Sequence, residues 1–210
     1  MKFPFLASFI AFAIFFSIVS KKAEKKTRTK DQDFWAREQK ANSTRKKSLD
    51  SLDYIVIPFS TLPLTIAAED ETISTCIKEL KELENETIVN LTGISNTDLK
   101  IQYGTANITP LSKYDQNFTI LVRILQSWAK RLNDLGYEEE ALLVLDFAIA
   151  IRTDVSSSYY LAAKLYSKRG NTAKLAYLKR TASTLQSAMR SSIVRTLQES
   201  YPDDDSLHSS

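Results

Sequence analysis

Residues 118–182 read FTILVRILQSWAKRLNDLGYEEEALLVLDFAIAI followed by RTDVSSSYYLAAKLYSKRGNTAKLAYLKRTA, and two segments of this stretch repeat each other. Six residues recur 34 positions later: Leu125, Trp128, Ala129, Leu132, Gly136 and Ala148 correspond to Tyr159, Ala162, Ala163, Tyr166, Gly170 and Ala182. Apolar residues at helical spacing, interrupted by one glycine, predict a helix, a turn and a second helix in each segment. A single helical hairpin cannot bury its apolar face alone, so the two hairpins are expected to stack.

The spacing and the residue classes resemble the tetratricopeptide repeat (TPR), a helix-turn-helix unit with this period. The resemblance implies seven buried positions per unit, which in the first unit are Leu125, Trp128, Ala129, Leu132, Ala141, Leu145 and Ala148. All seven fit, and the three alanines are expected at close helix crossings. The second unit departs from the pattern at Leu175 and Lys179, and Thr153 replaces the usual closing proline. An unrelated helical bundle with the same apolar period is the alternative.

The predicted fold class is all-α, with an N-terminal transmembrane helix, a TPR-like domain of helical hairpins and at most a minor extended segment. We expect five regions in chain order: a transmembrane anchor at 1–20, a basic and partly helical juxtamembrane segment at 21–50, a helical and irregular part at 51–117, TPR-like repeats with a capping helix at 118–200, and a disordered acidic tail at 201–210.

The anchor prediction rests on Phe3–Ser20, which carries no charge across 18 residues. As a helix this run is about 27 Å long, against a hydrocarbon core of about 30 Å. A cleaved secretory signal is the alternative, and it would make the protein extracellular. We favour the uncleaved anchor because only Lys2 precedes the run, and because Ile18 and Ser20 make a poor cleavage pair.

Basic residues after the anchor predict its orientation. Residues 21–30 contain six basic side chains and one acidic side chain, and basic flanks stay on the cytoplasmic side. The expectation is a single-pass protein of the cell membrane that contacts lipid through residues 3–20 and faces the cytoplasm. The reverse orientation would expose five glycosylation sequons, which begin at Asn42, Asn85, Asn90, Asn107 and Asn117. A single cysteine, Cys76, agrees with a reducing compartment.

The composition offers little for catalysis or for binding nucleic acid. The only histidine is His208, the four glycines form no phosphate-binding loop, and one cysteine makes no zinc site. We therefore expect no enzyme activity, no metal and no cofactor. Residues 21–50 carry a net charge of +6, whereas residues 51–210 carry −4. The basic charge thus ends where the folded region begins, which argues against nucleic acid as a partner.

Outside the repeats, local patterns predict further elements. Residues 31–47 and 70–84 are expected to be helices, and Asn90–Lys100 is expected to be a cluster of turns and caps. The short β-branched run Leu52–Ile57 is expected to be extended, with Leu99–Tyr103 as its best strand partner. The aromatic pair Phe34 and Trp35 could rest at the membrane interface or pack on the domain. We favour the domain, because more than ten residues separate the pair from the predicted anchor.

The repeat region itself predicts five helices. The first begins at Thr109-Pro110 or at Ser112 with Asp115, three more cover about 138–151, 156–168 and 172–185, and the last runs on towards Pro202 as a cap.

A TPR groove is lined by positions 2, 5, 9 and 12 of the first helix in each unit. The resemblance therefore implies the following groove residues, which we call the predicted groove set: Arg123, Gln126, Lys130, Asn133, Ser157, Tyr160, Lys164 and Ser167. Three cations among amides and hydroxyls suit an acidic or carboxylate-ended peptide of a protein partner. We also expect the acidic tail, Asp203 to Asp205, to compete weakly for this groove. An ordinary solvated helix face, or an obligate interface in a membrane complex, is the alternative.

Residues 34–199 also resemble a group of single-anchor membrane proteins from Gram-positive bacteria. The shared stretches are FWAREQKAN, LDYIVIP, NLTGISNTDLK, YDQNFT and GYEEEAL. The resemblance implies a helical fold and a membrane location. No activity is established for that group, so it implies no catalytic residue.

Overall fold

The structure is a computed structural model that describes residues 32–202. The predicted anchor at residues 3–20 and the acidic residues Asp203 to Asp205 lie outside the described part. Within it the chain is all-helical, as predicted, and the only β pairing is an isolated antiparallel bridge between Tyr54 and Val89. No helix in residues 32–202 is both long enough and apolar enough to cross a bilayer.

Eight α-helices follow one another along the described chain. They are α1 at residues 32–43, α2 (Glu71–Glu82), α3 (Asn96–Tyr103), α4 (Ile108–Asp134), α5 (Glu138–Ala150), α6 (Ser156–Lys168), α7 (Thr172–Ser183) and α8 (Arg190–Ser200), with a short 3-10 helix (Thr105–Asn107) before α4.

The described residues form two compact units. One consists of residues 32–47 together with Ser95–Ile108, and the other consists of Ser48–Ile94 together with residues 109–202. The first unit therefore contains α1 and α3, and the second contains α2, nearly all of α4, and α5 to α8.

In the first unit, α3 is held beside α1 by polar side chains. The Glu38 carboxylate accepts a hydrogen bond from Thr97, and Lys100 Nζ donates to Asn42 Oδ1 at 2.9 Å. Asn107, which is almost fully buried, donates to the carbonyls of Lys47 and Tyr103, both at 2.7 Å.

The prediction that Leu99–Tyr103 forms a strand is wrong, because these residues belong to α3. Ser95 caps that helix, since its side chain accepts from the amide of Asp98 at 3.2 Å. The polar cluster Asn90–Lys100 is consequently turn only in its first half. Its second half is helix, because a serine followed three residues later by an acidic residue is a helix-start signal.

A close backbone approach ends α3. Gly104 has a φ of +90°, and a Cβ at this position would lie 2.2 Å from the carbonyl oxygen of Arg45. Only glycine meets both demands, because an L side chain is strained at this φ and has no room there.

In the second unit, α2 is tied to α4 by one carboxylate with two roles. Asp70 caps α2 by accepting from the amides of Thr72 and Ile73, both at 3.1 Å. The same side chain accepts from Arg131 of α4 at 2.6 Å. The hydrogen bond from Arg131 is the main cause of the lowered pKa of Asp70. The apolar face of α2 is buried at Ile73, Cys76, Ile77 and Leu80, and Leu83, which directly follows the helix, is buried with it.

The two predicted hairpins are formed by α4 with α5 and by α6 with α7, and their bounds agree with the sequence to within two residues. The turns inside them match each other. After α4, the amide of Tyr137 donates to Leu132 O at 2.9 Å and that of Gly136 donates to Asn133 O at 3.0 Å. The same pair of bonds surrounds Gly170, and both glycines have positive φ, as this helix ending requires.

The core of this unit contains the five apolar pairs that define the 34-residue repeat in the sequence. All ten of these residues are buried: Leu125, Trp128, Ala129, Leu132, Ala148, Tyr159, Ala162, Ala163, Tyr166 and Ala182. The packing continues along the chain, because α6 contacts α5 and α7, and α8 contacts α6 and α7.

The last helix keeps the same register. Its first residue, Arg190, lies 34 positions after Ser156, the first residue of α6. Ile193 occupies the position that corresponds to Tyr159, and both side chains are fully buried. The predicted cap therefore stands in the register of a further first helix, which the sequence pattern alone did not show.

Ala141→Leu tests the packing of the hairpin core. Ala141 is fully buried on α5, so three added carbon atoms must displace neighbours, at a cost of about 1–3 kcal/mol in the free energy of unfolding. The matched control is Ala150→Leu, because Ala150 is exposed on the same helix. Urea denaturation measures both variants. Equal stabilities of the two would contradict the packing described here.

Candidate functional site

The predicted groove set lies on the two helices that begin the hairpins. Arg123, Gln126, Lys130 and Asn133 are on α4, and Ser157, Tyr160, Lys164 and Ser167 are on α6. The structure brings the first three together at one cleft. The other five do not line it.

This cleft, which we call the α4 cleft, runs along α4 beside the chain entering α6 and has a volume of about 520 Å³. Its apolar lining is Phe118, Val122 and Val155, of which the first two are almost fully buried. Its polar lining consists of Thr92, Asp115, Thr119, Arg123, Gln126, Ser127, Lys130 and Asp154. An apolar floor with polar groups around it is the usual composition of a binding cleft.

The charges of the α4 cleft are arranged along the helix. Asp115 lies at the N-terminal end of the α4 lining, Arg123 follows about two turns later, and Lys130 lies about two further turns on, at the C-terminal end. The sequence argument counted only the cations, because it considered groove positions and not their neighbours. The α4 side of the cleft is acidic at its N-terminal end and basic beyond it, and Asp154 adds a second carboxylate from the chain entering α6. This arrangement favours an elongated ligand with opposite charges at its two ends.

Both cations of the cleft have carboxylate partners at the protein surface. Arg123 Nη2 lies 3.1 Å from Glu79 of α2, and Lys130 Nζ lies 2.6 Å from Asp134. The hydrogen bond from Lys130 is the main cause of the lowered pKa of Asp134. The two basic side chains are about two-thirds exposed, so these ion pairs contribute little to stability and a ligand carboxylate can replace them.

Two members of the predicted groove set make contacts between successive helical repeats of the second unit. Gln126 Oε1 accepts from Ser158 Oγ at 2.6 Å, which joins α4 to α6. Tyr160, the residue 34 positions after Gln126, donates to Thr196 Oγ1 at 3.3 Å, which joins α6 to α8. The Thr196 hydroxyl can turn to donate to the phenolate, and this is the main cause of the lowered pKa of Tyr160. Residues at the same repeat position thus connect α4 to α6 and α6 to α8.

A second cleft, of about 430 Å³, lies where Asn90 meets the turn between α5 and α6. The Asn90 side chain donates to the carbonyls of Ile151 and Arg152, both at 3.1 Å. Arg152 has a φ of +58° and ends α5 in the same manner as Gly136 ends α4. The Asn90 side chain therefore stabilises the strained turn that follows α5.

The described residues supply little reactive chemistry. Among residues 32–202, no group of three or more histidine, cysteine or acidic side chains is placed to hold a metal ion. Cys76 is buried, and burial raises the pKa of its thiol. A thiol in that environment is a poor nucleophile.

Comparison of the chain with protein-family models, with curated proteins and with solved structures returned no match. The geometry of the α4 cleft therefore has to carry the functional argument by itself.

Arg152→Gly tests the strained turn beside the second cleft. Glycine tolerates positive φ, so this variant should raise the free energy of unfolding by about 1 kcal/mol. Arg152→Ala is the matched control, because alanine also removes the side chain but keeps the strain. Urea denaturation measures both, and an Arg152→Gly protein no more stable than the Arg152→Ala protein would contradict the strain.

Proposed function

We propose that this protein is a membrane-anchored, non-enzymatic binding module whose TPR-like domain holds a peptide segment of a partner protein in the α4 cleft. The observation that carries the proposal is the α4 cleft itself, which combines an apolar floor with charges of opposite sign at its ends. Helical repeats present such extended surfaces to protein ligands.

The charges define the direction of the bound peptide. Its acidic or carboxylate end lies at Arg123 and Lys130, and its basic or amino end lies at Asp115. Lys130 offers an ammonium group, and Arg123 offers a planar guanidinium group that matches a carboxylate. The Asp115 carboxylate accepts one hydrogen bond from the amide of Leu91 at 3.2 Å and has capacity for others.

The length of the cleft sets the length of the peptide. From Asp115 to Lys130 the helix rises about 22 Å over 15 residues. An extended chain of about six or seven residues covers that distance, at roughly 3.3 Å per residue. Phe118 and Val122 lie between the charged ends, so the central part of the peptide should carry an apolar side chain.

The membrane part of the proposal rests on the sequence. Phe3–Ser20 is uncharged, and six basic residues occur in the ten that follow it. Such a run has the length of a membrane span, and such a flank stays on the cytoplasmic side. An anchor of this kind would hold the binding module at the inner face of the cell membrane.

Fractionation of cells that make the full chain tests the anchor. The protein should stay in membranes washed with alkaline carbonate, because such washing removes peripheral proteins and leaves spanning helices in place. Protease added outside intact cells should leave the binding module uncut. Release by carbonate, or cleavage from outside, would contradict this part of the proposal.

Site-specific photocrosslinking in the native host tests the α4 cleft. Thr119 is exposed and lines the cleft, so a benzophenone amino acid at this position should form an adduct with the partner. The matched probe site is Ala173, which is exposed on α7 and lies outside the cleft lining. An adduct specific to the Thr119 probe is the expected result.

Charge reversal tells a cleft ligand from a chance neighbour. Lys130→Glu should reduce the adduct about tenfold or more, because it replaces attraction of the peptide carboxylate with repulsion. Arg180→Glu makes the same change at an exposed site on α7 and should leave the adduct unchanged. If Lys130→Glu and Arg180→Glu behave alike, or if the Ala173 probe gives the same adduct, the α4 cleft is not the binding site.

A further inference from the structure

Two large aromatic side chains of the first unit are exposed. Phe34 is 55% exposed and Trp35 is 69% exposed, with ring centroids 5.6 Å apart in an edge-to-face arrangement. The sequence-based prediction that this pair packs on the domain is therefore wrong. The chain has two tryptophans, and the second, Trp128, is fully buried.

The contacts of α1 explain why the pair is uncovered. The hydrogen bonds and ion pairs of this helix with α3 involve Arg37, Glu38 and Asn42, and its buried residue is Ala41. All of them follow the aromatic pair in the chain. Phe34 and Trp35 therefore precede the residues of α1 that contact α3, and more than half of each side chain is exposed.

The chain before α1 indicates what covers them. Residues 21–30 carry six basic side chains and one acidic one. Basic residues are attracted to anionic lipid headgroups, so this segment should lie at the surface of such a membrane. Because Phe34 and Trp35 follow this basic segment within a few residues, they should also lie close to the lipid headgroups.

The length of the connection permits this placement. Thirteen residues, 21–33, separate the apolar run Phe3–Ser20 from Phe34, and they span at most about 45 Å when fully extended. A connection of that length keeps Phe34 and Trp35 near the bilayer and is long enough for the two side chains to reach the membrane surface. The covalent link also raises its effective concentration there.

We propose that Phe34 and Trp35 insert into the headgroup region of an anionic membrane and hold the first unit against the lipid surface. Tryptophan and other aromatic rings favour this region, where one part of the ring meets hydrocarbon and the other meets water. The proposal rests on the membrane anchor of the proposed function. It adds a second contact, made by the folded unit itself.

The chain provides its own reporter for this contact, because Trp128 is buried and Trp35 is the exposed tryptophan. The full chain is reconstituted into vesicles of phosphatidylglycerol and phosphatidylcholine. The emission of Trp35 is obtained by subtracting the spectrum of a Trp35→Phe variant, which retains Trp128. Trp35 emission should shift to shorter wavelength, lose its quenching by aqueous acrylamide, and be quenched by lipids brominated near the headgroup.

A tryptophan moved to the opposite side of α1 is the matched control. The variant Trp35→Phe with Lys40→Trp places the reporter about 140° around the helix from position 35, at another exposed residue. This reporter should remain quenched by acrylamide and unaffected by brominated lipid. Equal lipid quenching at both positions would show burial of the whole helix and would overturn the proposed orientation.

Flotation of the same vesicles separates failure of this proposal from failure of the anchor. If the protein floats with the vesicles but Trp35 stays accessible to acrylamide, the anchor stands and the aromatic contact is wrong. If the protein does not float, both are wrong. Protection of Trp35 in native membranes but not in vesicles of pure lipid would assign the pair to a protein partner and would overturn the lipid contact.

Discussion

A helical hairpin leaves one apolar face in water, and the helices from α4 to α8 are arranged so that each such face is covered by the next hairpin. Trp128 of α4 and Tyr159 of α6 are both fully buried in one continuous core. The helix α8 meets the same constraint. Without α8, the apolar side of α6 and α7 would be exposed, so Ile193 and Leu197 supply the missing cover.

The sequence predicted the features that repeat and missed those that depend on a single contact. The 34-residue offset placed Gly136 and Gly170 at equivalent turns, because positive φ limits those positions to very few residue types. The stretch Leu99–Tyr103 has alternating apolar residues that fit a strand. Ser95 followed by Asp98 is a local helix-start signal that the alternation concealed. The contacts of this helix with Glu38 and Asn42, far away in the sequence, could not be read from any local pattern.

The predicted groove set shows the same limit at the level of function. Repeat positions identified the first helix of each unit, yet they did not tell which side chains are free for a ligand. Gln126 and Tyr160 make hydrogen bonds to the next first helix, whereas Arg123 and Lys130 pair with surface carboxylates that a ligand can replace. The acidic end of the α4 cleft, at Asp115, comes from a residue outside the groove positions and could not be inferred from them.

The central claim is that α6 stacks on α4 in the register that brings Gln126 to Ser158. A double-mutant cycle measures this directly: the free energies of unfolding of Gln126→Ala, Ser158→Ala and the double variant report whether the two side chains, which hydrogen-bond at 2.6 Å, interact. Urea denaturation should give a coupling energy of about 0.5–3 kcal/mol for this pair. The control cycle pairs Gln126→Ala with Ser157→Ala, which is exposed and one residue away, and its effects should add to within about 0.5 kcal/mol. Additive effects in the 126–158 cycle would contradict the stacking register on which the fold and the α4 cleft depend.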